Sequence, residues 1–246
     1  MEIVVCVKRV PATDSKVKVG ADGRSIDPAG VEFVLNPYDE FALEQALKTK
    51  EQLGAGSVTV VTLGNADAQK ELRSCLAMGA DKAVLLDDGG RSRDAYATAV
   101  AVAAWLKSVP HDVVFCGKQA VDNDDGQFPP RLAALLGLPC VTEVAVLELK
   151  DGIFRAERDI EGAREVVRCP TPCVVSTHKG LNEPRSATLK GIMAAKKKPL
   201  ETVAAEVPEP ALLVSSLTLP PERQDGRILG SVDELIAALK NEAKVL

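Results

Sequence analysis

Four near-continuous apolar runs, each followed by a segment with helical spacing, leave this chain few folds to choose from. "EIVVCVKRV" from Glu2, "SVTVVTLG" from Ser57, "KAVLLDD" from Lys82 and "DVVFCG" from Asp112 are the runs. Unbroken apolar strands of this kind are buried on both faces. In "NPYDEFALEQALKTKEQLG", Phe41, Ala42, Leu43, Ala46, Leu47 and Leu53 recur every three to four positions and Gly54 supplies the stop. "DAQKELRSCLAMGA" and the Ala-rich "RDAYATAVAVAAWLKSV" are the second and third helices, and "LAALLGLP" with "VTEVAVLEL" adds another helix and strand. Repeated strand–helix–strand units imply right-handed crossovers and a doubly wound, mainly parallel α/β sheet. With 46% hydrophobic residues and only 3% aromatic ones, the core must be built from Val, Leu, Ala and Ile.

Past residue 150 the pattern changes. "GIFRAERDIEGAREVVRCPTPCVVSTH" reads as a hairpin turning at Glu161-Gly162-Ala163, then one more strand. From 180 onward no repeated strand–helix unit is expected, and long extended segments without a core of their own lie on something else. "SVDELIAALKNEAKVL" closes the chain as a helix with a capping box at Ser231 and Glu234. The expected organisation is an α/β nucleotide-binding domain over 1–180, with its hairpin near 150–175, and an arm over 181–246 that wraps a partner subunit. A net charge of −5 argues against a general nucleic-acid binder. No apolar run reaches membrane-spanning length, and "MEIVVCVKRVP" does not read as a signal peptide, so a cytoplasmic or matrix-like site is expected. Six scattered cysteines without a CxxC, beside two histidines, read as buried reduced thiols rather than a zinc site.

In a doubly wound sheet, ligands bind outside the carboxyl ends of the strands. Three of those ends are polar or small on cue: Cys6-Val7-Lys8-Arg9, Thr62-Leu63-Gly64-Asn65 and Cys116-Gly117-Lys118-Gln119. The third runs into "GKQAVDNDDGQFPP", residues 117–130, where an acidic cluster meets a glycine and two prolines. Calcium is rejected by counting from Asp122: the sixth residue is Gln127 and the twelfth Ala133, where an EF-hand needs Gly and Glu. Two readings stand. Asp124 or Asp125 caps the helix that opens near Pro129 and Pro130, or the free N–H groups of Gly126, Gln127 and Phe128 receive a phosphate. No GxGxxG, GxxxxGK[ST] or SGGxDS-like loop is present.

"GKQAVDNDDGQ", "LNPYDEFALEQAL", "CLAMGADKAVLL" and "LNEPRSATLKGIMAAKKK" together resemble the β (small) subunit of electron transfer flavoproteins, from Ile3 to about Lys198, and "PPERQDGRI" in the tail fits as well. The resemblance implies a Rossmann-like fold of the adenine-nucleotide α-hydrolase type with an extended C-terminal arm. It implies no catalytic residue and no metal, but an electron carrier. FAD is held mainly by an α subunit, AMP is bound structurally in the β subunit, and electrons pass from acyl-CoA dehydrogenases to a membrane quinone oxidoreductase. Carried over position by position, the nucleotide wall is Cys6, then Asn36, Pro37, Tyr38 and Asp39, then Leu63. It continues through Gly117, Lys118, Gln119, Ala120, Val121 and Asp122 to Asn123, Asp124, Asp125, Gly126, Gln127 and Phe128. Tyr38 faces the flavin; Leu189 is the anchor of a loop that docks on dehydrogenases, with Arg185 opening that loop and Asp159 a further recognition position. Lys196, Lys197 and Lys198 either steer an acidic partner or are a solvated run. Gly126-Gln127-Phe128 stands where the AMP-binding members carry Asn-Gln-Thr and is nearer the electron-bifurcating relatives that hold a second FAD in this pocket and oxidise NADH, whereas "CVKRVPAT" and "NPYDEFALEQAL" are more like the ordinary AMP carriers. A free-standing adenine-nucleotide sensor of the universal-stress type would share the sheet but not the arm.

Overall fold

The computed structural model describes residues 1–222 and 225–246; Arg223 and Gln224, within "PPERQDGRI", lie outside the described residues. The chain divides into two compact units. The larger, Met1–Val17 with Pro28–Ser215, holds the sheet.

Its strands are β1 (Glu2–Cys6), β2 (Arg9–Pro11), β3 (Phe33–Leu35), β4 (Ser57–Gly64), β5 (Lys82–Asp87), β6 (Val113–Gly117), β7 (Cys140–Lys150), β8 (Ile153–Ile160), β9 (Ala163–Pro170), β10 (Cys173–Thr177) and β11 (Leu200–Ala204). Its helices are α1 (Pro37–Leu53), α2 (Gln69–Met78), α3 (Ala95–Leu106), α4 (Phe128–Leu136) and α5 (Leu189–Ala195). Nine strands form one sheet in the order β11-β5-β4-β1-β6-β10-β7-β8-β9, while β2 and β3 pair apart. The pairings from β11 to β7 are parallel, and β8 and β9 continue antiparallel as the expected hairpin, turning at Gly162 with φ +72°. The sheet is the doubly wound α/β arrangement that the alternating pattern predicted.

The period of two in the strands divides the core. Ile3, Val5 and Val7 face one side with Leu43 and Leu47 of α1 and Leu72 and Leu76 of α2. Val4 and Cys6 face the other with Val102 and Leu106 of α3 and Leu132 of α4. Each fully buried Leu or Ile is worth ~1.5–3 kcal/mol over its exposed state, and these two layers fix the register of every strand between them. Pro37 opens α1, and Gly54 ends it in the left-handed region at φ +66°, the conformation that a helix stop reserves for glycine.

One strand was not foreseen. Leu200–Ala204 pairs in parallel with β5 from Leu200↔Ala83 to Ala204↔Asp87, so a further helix–strand unit does follow residue 180. "LETVA" covers a sheet edge with Glu201 to Ala204 all exposed, so it lacks the apolar run that announces a central strand. The chain then stays on the sheet: Ala205 N donates to Asp87 O (2.8 Å) and Val207 is buried. The amides of Ala211 and Leu212 both donate to Asp94 Oδ2 at 3.0 Å.

The smaller unit comprises Lys18–Asp27 and Ser216–Leu246. An Asp22 turn closes the bridge between Val19 and Ile26, and Leu217 N donates to Gly23 O (2.8 Å). Its helix, α6 (Val232–Ala238), is capped as expected: Ser231 Oγ accepts from Glu234 N (3.2 Å). Glu234 in return accepts from Gly230 N (2.7 Å), one residue earlier than the standard box. No residue of α6 is buried, and Leu219, Ile228 and Val232 are exposed.

Candidate functional site

The three polar strand ends singled out in the sequence belong to neighbouring strands. β4, β1 and β6 are adjacent, and the strand order reverses beside β1, where such sheets open a crevice. A cavity of about 390 Å³ lies at their carboxyl ends, within the ~300–1,000 Å³ usual for small-molecule sites.

Its floor is apolar: Cys6, Val61, Leu63, Val102, Cys116 and Phe128 line it. Cys6 and Cys116 are register partners on β1 and β6, and the hydrogen bond with Cys6, then burial, pushes the Cys116 thiol well up. These thiols serve as wall rather than nucleophile. Asn36 and Asp39 supply one polar side; Gly117, Gln119, Ala120, Asn123, Asp125 and Gly126 form the opposing loop.

Two buried side chains give that loop its shape. Asn36, fully buried, donates from Nδ2 to Gln119 O (2.9 Å) and accepts at Oδ1 from Val121 N (3.2 Å). Asp39 accepts from Lys8 N at Oδ2 (2.7 Å) and from Gly117 N at Oδ1 (3.1 Å), tying the ends of β1 and β6 to the first turn of α1. A Cβ on Gly117 would stand 2.3 Å from Asp39 Oδ1 and 2.8 Å from the Tyr38 carbonyl carbon, so only glycine fits there.

Burial pushes the Asp39 carboxyl up to about 7, against the pull of Asn36 and of the Lys8 and Gly117 amides. An unfolded aspartate titrates near ~3.9, so folding takes up a proton between those values. The stability this group lends is fully present below about 4, is lost as pH rises towards about 7, and changes no further above. Melting temperature recorded from pH 5 to 8 should therefore fall more steeply in the native protein than in Asp39→Asn. The variant should also melt lower throughout, because an amide accepts from only one of the two N–H groups.

The three aspartates of the loop are spent on the protein itself. Asp122 accepts from Lys8 Nζ (2.7 Å), and Asp124, left-handed at φ +51°, accepts from Gln119 Nε2 (2.6 Å). Asp125 accepts from Gln127 N (3.2 Å) and Asn123 Nδ2 (3.1 Å). Neither Asp124 nor Asp125 caps α4, contrary to the first of the two readings: the helix opens at Gln127 with no side-chain cap, and Asp125 only closes the turn before it while also lining the cavity. Gln127 turns away to accept from Arg131 at 3.0 and 2.7 Å. Pro37 and Tyr38 also lie off the cavity lining, as do Lys118, Val121, Asp122 and Asp124. The Tyr38 ring has Lys118 Nζ at 5.4 Å and the His178 ring at 6.3 Å.

The segment between β5 and α3 was missed by sequence reasoning: Arg91, Ser92, Arg93, Asp94 and Thr98 line the cavity. Asp94 caps α3, accepting from Ala97 N (2.8 Å). Burial raises its carboxyl, but the Ala97, Leu212 and Ala211 amides outweigh that and hold it below the usual range. Arg93 pairs with buried Asp88 and donates to Leu63 O (2.9 Å). A capping aspartate after a fourth strand end, in "RSRDAYATAV", was the available signal.

The remaining singled-out residues lie elsewhere. Leu189 opens α5 and is 77% exposed, beside exposed Ile192 and Met193. Thr188 caps this helix by accepting from Gly191 N (3.0 Å), and a Cβ on Gly191 would meet Ala77 O at 2.4 Å, so α5 sits hard on α2. Arg73 of α2 donates to Ala195 O (2.7 Å) and Lys198 O (2.8 Å), while Lys198 donates to Leu76 O (3.1 Å) and Ala80 O (2.6 Å). Lys198 is therefore a helix clamp rather than a steering or solvated charge. Arg185 is drawn inward, paired with Glu44 (2.8 Å) and Glu51 (2.6 Å) of α1. Asp159 is exposed on the hairpin and accepts from Arg164 (2.8 Å).

Comparison with known proteins agrees with this arrangement. The family model of the electron transfer flavoprotein domain matches residues 24–208. "Electron transfer flavoprotein subunit beta" of Bacillus subtilis is 39% identical over 260 residues, covering 100% of both chains. The protein of that name from Bradyrhizobium diazoefficiens is 40% identical over 254 residues, again 100% of both. "Electron transfer flavoprotein subunit beta, mitochondrial" of Oryza sativa subsp. japonica is likewise 40% identical over 254 residues with 100% of each covered. With the sheet, the cavity and full-length relatives in agreement, the chain belongs to the electron transfer flavoprotein family as a β subunit.

Proposed function

We propose that this β subunit pairs with an α subunit that carries most of an FAD, and that the cavity at the ends of β4, β1 and β6 holds AMP as a structural ligand. The cavity carries the reading: an apolar floor suits a purine, and a loop pinned by Asn36 and Asp39 is preformed for a ribose phosphate. Bound FAD supplies the electron-accepting and electron-donating chemistry. This chain's residues shape its surroundings, with Tyr38 facing the flavin and Asp159 and Arg185 helping to order the docking side. Leu189 is the apolar anchor for acyl-CoA dehydrogenases, and a membrane quinone oxidoreductase takes the electrons onward. Residues 181–246 wrap the α subunit, in keeping with the exposed Leu213, Leu219, Ile228 and Val232. Those apolar side chains have no use in a free-standing nucleotide sensor. The complex works in the cytoplasm or a matrix-like compartment; among the described residues no helix is long and apolar enough to cross a membrane.

Co-expression with the α subunit should yield a yellow 1:1 heterodimer, whereas this chain alone should be colourless. Acid extraction of the heterodimer should release one FAD and one AMP. A second reading has one observation in its favour: Gly126 is left-handed at φ +61°, and a Cβ there would meet only Lys118 O, at 3.8 Å. That room suits a diphosphate, and two FAD per heterodimer, with reduction by NADH, would establish it. A monodisperse chain that ignores the α subunit would refute both.

A further inference from the structure

A second cavity, of about 260 Å³, adjoins the first and shares Lys8, Thr62, Leu63, Arg91 and Arg93 with it. Its character differs. Where the first has an apolar floor, the second is lined by four cations, Lys8, Arg9, Arg91 and Arg93, against one carboxylate, Asp88. The carboxylate is already satisfied, since Asp88 pairs with Arg93 and accepts from Gly90 N (2.8 Å). Two other cations have partners outside the lining: Lys8 reaches Asp122 (2.7 Å), and Arg9 lies 3.4 Å from Glu71 and 3.8 Å over the Phe33 ring. Arg91 is exposed, and among the described residues no carboxylate pairs with its guanidinium. Thr62, Leu63, Asn65 and Ala68, with Gly64 and Gly90, complete the wall without further charge.

We propose that this cavity is a phosphate subsite, taking either a second phosphate carried by the nucleotide or a free phosphate beside it. Counted with their carboxylate partners, the lining cations leave one uncompensated charge, on Arg91, and guanidinium groups bind phosphate through strong charge-assisted hydrogen bonds. Arg93 is held in place by Asp88 and Leu63 O, so its orientation is set before any ligand arrives. Arg91 is left to close on the anion. The position fits a ligand that begins in the first cavity, because the two share their Lys8 and Arg91 edge. The inference rests on the nucleotide reading for the first source and stands apart from it for the second.

The test uses the heterodimer stripped of bound nucleotide, titrated calorimetrically at low salt with AMP, with ADP, and with inorganic phosphate before and after saturation by AMP. Native complex and Arg91→Ala are compared. If the second phosphate is nucleotide-borne, ADP should bind at least about tenfold more tightly than AMP, or ~1.4 kcal/mol, and Arg91→Ala should bring that ratio close to one. If the source is free phosphate, ADP and AMP should bind alike, while phosphate still binds the AMP-saturated complex and Arg91→Ala abolishes that heat. Equal binding of ADP and AMP with no heat from phosphate in either state overturns the subsite and leaves the nucleotide reading intact. Phosphate binding that depends on Arg91 without any binding of AMP or ADP keeps the subsite and removes the nucleotide.

Discussion

Alanine at position 117 is expected to abolish binding of the proposed nucleotide and lower the melting temperature by roughly 6–12 °C, from ~3 kcal/mol of overpacking in a chain of this size. One methyl group does this because its nearest neighbours are not flexible. The added Cβ would stand 2.3 Å from Asp39 Oδ1, 2.7 Å from Tyr38 Cβ and 2.8 Å from the Tyr38 carbonyl carbon. Relief needs the first turn of α1 to move away from β6, which breaks the Asp39 bonds to Lys8 N and Gly117 N. The loop over 117–128 then loses its anchor at the cavity wall. Gly226→Ala is the control, since nothing lies within 4 Å of a Cβ there. Thermal melts with and without added AMP check both halves: native protein and Gly226→Ala should gain stability from AMP, and Gly117→Ala should gain none. An alanine variant at 117 that melts normally and still retains AMP would contradict the packing argument.

Leu189→Ala should weaken docking on a dehydrogenase about thirtyfold and leave folding untouched. Truncating an interface anchor costs ~2 kcal/mol or more, and each 1.4 kcal/mol is a factor of about ten. The same change in a core would cost ~2–5 kcal/mol of stability, but Leu189 is 77% exposed and has little core to leave. The variant should keep its melting temperature, flavin content and reduction by dithionite, while reduction through the dehydrogenase falls. Arg73→Ala separates shape from contact. It keeps the Leu189 side chain but removes the bonds from α2 to Ala195 O and Lys198 O that seat the helix carrying it. It should therefore raise the KM for this carrier with little change in the maximal rate. Early melting of Leu189→Ala with normal docking of what remains folded would place the residue in the core instead.

The parts of the fold that were legible in the sequence are those where one constraint dominates. Strands such as "DVVFCG" are buried on both faces and cannot read as anything else, and Gly54 and Ser231 mark helix ends by local chemistry alone. The cavity rim was legible because polar residues at the ends of apolar strands have nowhere to face but a crevice. What escaped notice depended on partners distant in sequence. Lys198 resembles any surface lysine until the carbonyls of Leu76 and Ala80 are placed beside it. Arg185 belongs to a basic stretch whose charge turns inward only because Glu44 is buried opposite. Arg91 to Asp94 reach the cavity through a crossover whose landing point sequence periodicity does not encode. The resemblance supplied Tyr38 and Lys118 as pocket residues, yet both lie off the cavity lining, on the side of Gly117 where His178 stands.

The late position of β11 governs how this chain is made. β5 leaves the ribosome early with one edge bare, and Leu200, which pairs with Ala83, emerges more than a hundred residues later. At ~5–20 residues per second, the apolar run "KAVLLD" waits on the order of ten seconds before its own chain covers it. An uncovered apolar edge is a template for pairing with a neighbouring nascent copy. Translation speed between codons 88 and 204, rather than any contact in the finished protein, should then decide how much of this subunit reaches its partner and how much is lost to inclusion bodies.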